Sequence, residues 1–82
     1  MLEEIKKVLL DKRYQVYPRG EGKSRFLFVK GARTSAEISE DDDTLWVEFW
    51  ASSNEENDDA PVKSKTCKTV NETIKAVCAW IR

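Results

Sequence analysis

The chain has 82 residues, enough for one domain spanning residues 1–82 but too few for a second hydrophobic core. Its apolar fraction of 40% argues against global disorder, even though 35% of the residues are charged. The longest apolar run, residues 76–81, is far shorter than a membrane span requires. Two cysteines are too few for a disulfide framework. We therefore expect a soluble, cytoplasmic protein with no membrane partner.

The charged residues are segregated along the chain, although the net charge is only −1. Residues 1–36 contain nine bases and four acids, residues 37–61 contain ten acids and no base, and residues 62–82 contain five bases and one acid. Such asymmetry affects partner choice and association rate more than it affects the fold. It favours a charged partner, which is either another protein or a second copy of this chain.

The first predicted element is a helix over residues 2–13, because Leu2, Ile5, Val8 and Leu9 recur on one face at helical spacing. Alternation of apolar and polar residues then predicts short strands. We place them at residues 14–17, 24–30, 33–39, 44–51 and 62–67. Gly31-Ala32 predicts a tight hairpin between the second and third strands. Acidic loops at residues 40–43 and 52–61 flank the fourth strand.

The last element has a clear start signal. Thr69, followed by Glu72, is the pattern of a capping box, in which each side chain accepts a hydrogen bond from a backbone amide at the helix start. It predicts a helix over residues 70–81, whose apolar face comprises Val70, Ile74, Val77, Cys78 and Ile81. The complete pattern predicts an α+β fold. We expect a two-layer sandwich, in which an antiparallel meander of four or five strands carries the N- and C-terminal helices on one face.

The fourth strand suggests where the protein binds its partner. Alternation places Leu45, Val47 and Phe49 on one face of the sheet, which we assign to the helices. Trp46, Glu48 and Trp50 then lie on the outer face. Tryptophan is enriched among the residues that dominate binding energy, so these three residues together with Arg25 are the candidate protein-binding site. Two alternatives stay open: the tryptophans pair across strands with Arg25, Leu27 or Val29, or they face the core.

Other motifs carry weaker signals. The glycine-bearing loop of residues 18–23 lacks the phosphate-binding pattern and precedes a strand, so we interpret it as a hairpin loop. The acidic loops match no calcium-binding spacing. Cys67 lies beside Lys65 and Lys68, which would favour a reactive thiolate, but a small buried side chain is the simpler interpretation for both Cys67 and Cys78. The chain has no histidine, so we expect no catalytic residues, no metal site and no cofactor.

Nucleic-acid binding is the alternative function. The order of helix, antiparallel strands and helix is similar in outline to the double-stranded-RNA-binding domain, but the lysine-rich start of that domain's second helix is missing here. The basic N-terminal half could still contact phosphates beside stacking aromatic residues. The candidate contacts are Arg13, Arg19, Lys23, Lys30 and Arg33. Because ten acids and an isoelectric point near 5.5 oppose a polyanion, we favour a non-enzymatic protein-binding domain.

Overall fold

A computed structural model describes residues 1–54 and 60–82. Helix α1 spans Leu2–Asp11 and helix α2 spans Val70–Trp80. Five strands lie between them: β1 (Gln15–Arg19), β2 (Phe26–Lys30), β3 (Ser35–Asp41), β4 (Thr44–Trp50) and β5 (Lys63–Cys67). A single turn of 3-10 helix, Gly22–Ser24, precedes β2. Neither described helix has the length and apolarity needed to cross a lipid bilayer.

The strands form one antiparallel sheet, in which their spatial order is the order of the chain. The helices contact each other and pack on one face of this sheet. The predicted α+β sandwich is therefore confirmed, with five strands in the meander. The core lies between the two layers, and Val47 at its centre is completely buried between Ile38 of β3 and Lys65 of β5.

Helix α1 buries the face that its sequence predicts, since Leu2, Ile5 and Leu9 are all in the core. The helix ends at Asp11, before the predicted end at residue 13. Arg13 has a φ of 70°, and the next amide, that of Tyr14, donates to the carbonyl of Leu9 over 3.0 Å. A left-handed residue directly after the last turn closes the helix in this way.

Helix α2 begins as the capping box predicts. The amide of Glu72 donates to the hydroxyl of Thr69 over 3.0 Å. The Glu72 carboxylate accepts from the amide of Lys68 over 2.9 Å, one residue earlier than in the usual form of the box. Thr73, which was not predicted to lie in the core, is completely buried, and its hydroxyl is satisfied by donating to the carbonyl of Thr69 over 2.9 Å.

Two predicted loops differ from those in the structure. The β3–β4 turn contains only Asp42 and Asp43, because Glu40 and Asp41 continue β3. The β2–β3 turn is longer than Gly31-Ala32, since the third strand begins at Ser35 and not at residue 33. This turn is fixed by the end of the chain: a Cβ at Gly31 would lie 2.5 Å from the carbonyl oxygen of Arg82. The turn therefore requires glycine at this position.

The two cysteines are free and occupy different environments. Cys67 is completely buried on the helix side of β5, opposite Leu45. Its thiol does not lie at the surface, as a reactive thiolate flanked by Lys65 and Lys68 would require, and the small buried side chain is the correct interpretation. Cys78 is half-buried and packs against the core. A hydrogen bond with Cys78, together with partial burial, raises the pKa of Tyr14 above its ordinary value.

Candidate functional site

The fourth strand faces as its alternation predicts. Leu45, Val47 and Phe49 are buried beneath the helices, so Trp46, Glu48 and Trp50 lie on the opposite, outer face of the sheet. We call this opposite side of the sheet the outer face throughout. This orientation excludes the alternative in which Trp46 and Trp50 face the core.

Trp46 is the more accessible of the two outer tryptophans, with 39% of its surface exposed. Its neighbours across the strands are Ser39 on β3 and Thr66 on β5. Both are small hydroxyl residues, which do not reach over a large indole ring. The indole is therefore partly exposed, on a part of the outer face that no described segment covers.

Trp50 occupies a different environment, although it lies on the same strand and face. It is half-buried, and its indole N–H is buried without an acceptor among the described residues. Its backbone carbonyl accepts from the indole of Trp80 over 3.0 Å, and the same indole donates to the carbonyl of Ser35 over 2.9 Å. Trp50 is thus part of the attachment between the end of α2 and the β3–β4 strand pair.

The chain after β4 turns over the outer face beside Trp50. The hydroxyl of Ser35, which points to this face and is completely buried, donates to the carbonyl of Ser52. Ser53 and Asn54 line a cleft of about 230 Å³. Tyr17, Arg19, Phe28 and Lys30 form the rest of its lining. This part of the outer face is therefore covered by residues 52–54.

Phe28 is the most buried aromatic side chain of the protein's outer face, at 1% exposure. Its ring centroid lies 6.4 Å from that of Tyr17 on the neighbouring strand β1. This small second core was not predicted from the sequence. A signal is present, because Phe26 to Val29 is an unbroken apolar run, the pattern of a strand that is buried on both faces.

Glu48 lies between the two tryptophans and adds negative charge to the outer face. It is opposite Glu37 on β3 and Ser64 on β5. Asp41 on β3 belongs to the same face and lies opposite Thr44. The uncovered region around Trp46 is therefore apolar at its centre and acidic around it.

Arg25 does not join the predicted site. Its guanidinium lies 3.1 Å from the carboxylate of Glu3 on α1, so it is held on the helix side of the sheet. The predicted cross-strand pairing with Leu27 or Val29 is also wrong, because both residues face the core and β2 is paired with β3, not with β4. Of the four candidate residues, the structure brings together Trp46, Glu48 and Trp50.

The predicted phosphate-binding residues are divided between regions. Arg13 and Lys30 line one cleft of about 450 Å³. This cleft lies beside the β2–β3 turn, and Arg33 belongs to that turn. The guanidinium of Arg19 lies 5.2 Å from the centre of the Tyr17 ring, on the outer face. Lys23 lies at the other end of the sheet.

The charges around Lys23 disfavour the binding of an anion. Lys23 lines a cleft of about 640 Å³ whose other charged residues are mainly acids. These acids are Glu3, Glu40, Asp41 and Asp42, and the other positive groups are Arg25 and the N-terminal ammonium of Met1. The glycine-bearing loop of residues 18–23 lies at this cleft, so its interpretation as a phosphate site gains no support.

The described residues contain no group of three or more cysteine, aspartate or glutamate side chains that could hold a metal ion. The acidic loop of residues 40–43 is reduced to a two-residue turn. The acidic part of the other loop, residues 55–59, lies outside the described residues. Comparison with protein-family models, curated proteins and solved structures finds no match to this chain.

Proposed function

We propose that this protein is a small, non-enzymatic domain that binds another protein through the outer face of its sheet, with Trp46 as the main contact. The observation that supports this most strongly is the exposure of Trp46 on a part of the sheet that no described segment covers. An indole flanked by small hydroxyl residues can enter a pocket of a partner and lose its remaining contact with water. Residues of this kind dominate binding energies at protein interfaces.

The charges around Trp46 indicate the chemistry of the partner. Glu48, Glu37 and Asp41 share the outer face with it. A complementary partner would present Lys or Arg around an apolar pocket. Charge complementarity of this type accelerates association and determines orientation, and salt weakens it. Binding should therefore slow as ionic strength rises.

The chain offers a matched control for the experiment. Tyr17 lies on the same face and is 36% exposed, close to the exposure of Trp46, but it lies on β1 beside Phe28 and away from Trp46. We expect Trp46→Thr to abolish capture of the partner by immobilised protein, while Tyr17→Thr retains it. Equal capture by both variants would move the binding surface away from Trp46.

Self-association is a special case of this proposal, because the molecule carries both acidic and basic patches. Sedimentation velocity at low and high salt separates the two cases. A dimer that dissociates in Trp46→Thr identifies a second copy as the partner. A monomer at all concentrations requires a different protein.

Nucleic-acid binding stays a weaker alternative. The cleft lined by Arg13 and Lys30 brings two candidate bases together with no acid in its lining, and the cleft beside Phe28 does the same for Arg19 and Lys30. Duplex RNA should then bind at low salt, with a log-log salt slope of about −0.7 to −0.9 per phosphate contacted. The double variant Arg13→Ala, Lys30→Ala should flatten that slope. Absence of binding in ~50 mM salt would exclude this function.

The cellular location belongs to the same proposal. Two free cysteines, one of them completely buried, suit a reducing compartment, and we propose that the protein works in the cytoplasm. Fractionation of cells that produce the tagged protein tests this location.

A further inference from the structure

The two edges of the sheet differ in their capacity to pair with another strand. Strand β1 contains Pro18, which has no amide hydrogen to donate. Strand β5 has no proline, and its residues Lys63, Ser64, Lys65 and Thr66 are all exposed. Within the described part of the chain, no strand lies beside the free edge of β5. Its outward backbone groups are therefore available to an added strand.

A groove runs along this edge on the helix side of the sheet. It has a volume of about 310 Å³ and is bounded by β5 and α2. Its apolar lining consists of Phe49, Ala76, Ala79 and Trp80. The Phe49 and Trp80 rings meet edge to face, with centroids 5.5 Å apart. The two alanines are small and leave the groove open beside the Trp80 ring, so that side chains of an added strand can enter there.

The charged residues of the groove are basic. The ammonium group of Lys63 lies 5.2 Å from the Phe49 ring centre and 5.3 Å from that of Trp80. Lys65 points to the same side of β5 and lies 3.8 Å from the Glu72 carboxylate. No acidic residue lines the groove within the described part of the chain.

We propose that the groove between β5 and α2 binds an extended acidic peptide segment, which adds to β5 as a sixth strand. In such a complex, alternate peptide residues enter the groove opposite Lys63 and Lys65, because side chains alternate along a strand. Acidic residues at those two positions pair with the lysines. The methylene groups of a glutamate contact the half-buried Trp80 ring.

This site is separate from the surface around Trp46, which lies on the other face of the sheet. It goes beyond the proposed function, because neither site needs the other. Lysines that point inward at a sheet edge also prevent pairing between sheets. The experiment must therefore show that a peptide pairs with β5, and not only that the charges of Lys63 and Lys65 affect binding.

The probe is a displayed library of random seven-residue peptides, selected on the full chain. We expect enrichment of peptides that carry Asp or Glu two residues apart and no proline. Lys63→Glu and Lys65→Glu should each lower the affinity of the protein for a selected synthetic peptide by about tenfold or more. Lys7→Glu, an exposed charge reversal on α1, is the matched control and should leave the affinity unchanged.

The backbone pairing has its own signature, which does not depend on any protein variant. Only alternate amides of an edge-added strand point to the neighbouring strand. Methylation of the peptide nitrogens in one alternating phase should therefore abolish binding, while methylation in the other phase should preserve it. Equal effects of the two phases would contradict strand addition.

The other outcomes are equally decisive. Failure to enrich any peptide, or enriched peptides that bind both lysine variants normally, overturns the proposal and leaves Lys63 and Lys65 as protection of the edge. Peptides that lose affinity with Trp46→Thr but not with the lysine variants bind the outer face. That result would overturn the groove proposal while supporting the function proposed above.

Discussion

The outer face of the sheet consists of two regions that the same strand connects. Around Phe28 and Trp50, residues 52–54 cover the sheet, and Phe28 is as buried as the main core. Around Trp46, four residues earlier on β4 than Trp50, no described segment covers the sheet, and the indole is 39% exposed. Trp46 and Trp50 are the same residue type on the same strand and face, but they have different roles. The covered region stabilises the fold, and the uncovered region is available for binding.

This comparison shows why strand alternation alone does not identify a binding surface. Alternation assigns a side chain to a face, but exposure depends on what else reaches that face. Here the deciding contact is the hydrogen bond between Ser35 and the Ser52 carbonyl, which joins residues far apart in the sequence. The two tryptophans are therefore not one platform.

The largest effect should come from the covered region. Phe28→Ala removes a buried ring, so we expect a loss of about 3–5 kcal/mol in the free energy of unfolding, measured in urea. A loss of that size can unfold a small domain, and Phe28→Leu, which should cost below ~1.5 kcal/mol, keeps the measurement possible. A change within about 0.5 kcal/mol for Phe28→Ala, the range typical of surface positions, would mean that this region is not covered in solution.

An intermediate loss of stability should come from detaching residues 52–54, the segment that covers part of the outer face. Ser35→Ala removes the hydroxyl that donates to Ser52, and we expect a loss of about 1 kcal/mol in the free energy of unfolding. Ser39 is a matched control because it lies on the same strand and face, beside Trp46. Ser39→Ala should change stability by less than ~0.5 kcal/mol. Equal losses for the two variants would remove the distinction between the regions.

The smallest effect on stability should come from the uncovered region. Trp46→Thr places a good strand former at an exposed position, so the free energy of unfolding should change by no more than about 0.5 kcal/mol. The same variant should have the largest effect on partner binding. A destabilisation of several kcal/mol, as for Phe28→Ala, would show instead that Trp46 packs in a core.

Much of the fold could be predicted because its signals are local. The capping box at Thr69, the helical spacing in α1 and the alternation in β4 each lie within a few residues, and each is confirmed. The position of the β2–β3 turn could not be predicted in the same way. It depends on Arg82, whose carbonyl accepts from the amides of Arg33 and Thr34 at the other end of the chain.

The candidate site was predicted only in part, for a related reason. In the predicted second strand, each alternating set combines two apolar side chains with one base, Arg25 in one set and Lys30 in the other, so its pattern does not decide which set faces the helices. Arg25 was therefore assigned to the site although it is paired with Glu3 on the helix side. In β4 one set contains Glu48, and this single charge is sufficient to orient the strand. Strands with two apolar faces need a structure before their residues can be assigned.

The most direct test of the division of the outer face uses the three indole N–H signals of the unmodified protein in NMR. A soluble paramagnetic agent broadens signals that are exposed to solvent. We expect strong broadening of one indole signal, which disappears in Trp46→Thr. The signals of Trp50, whose N–H is buried, and of Trp80, whose N–H donates to two carbonyls, should remain sharp. Equal broadening of the Trp46 and Trp50 signals would contradict the division of the outer face into two regions, because both tryptophans would then lie on one uncovered surface.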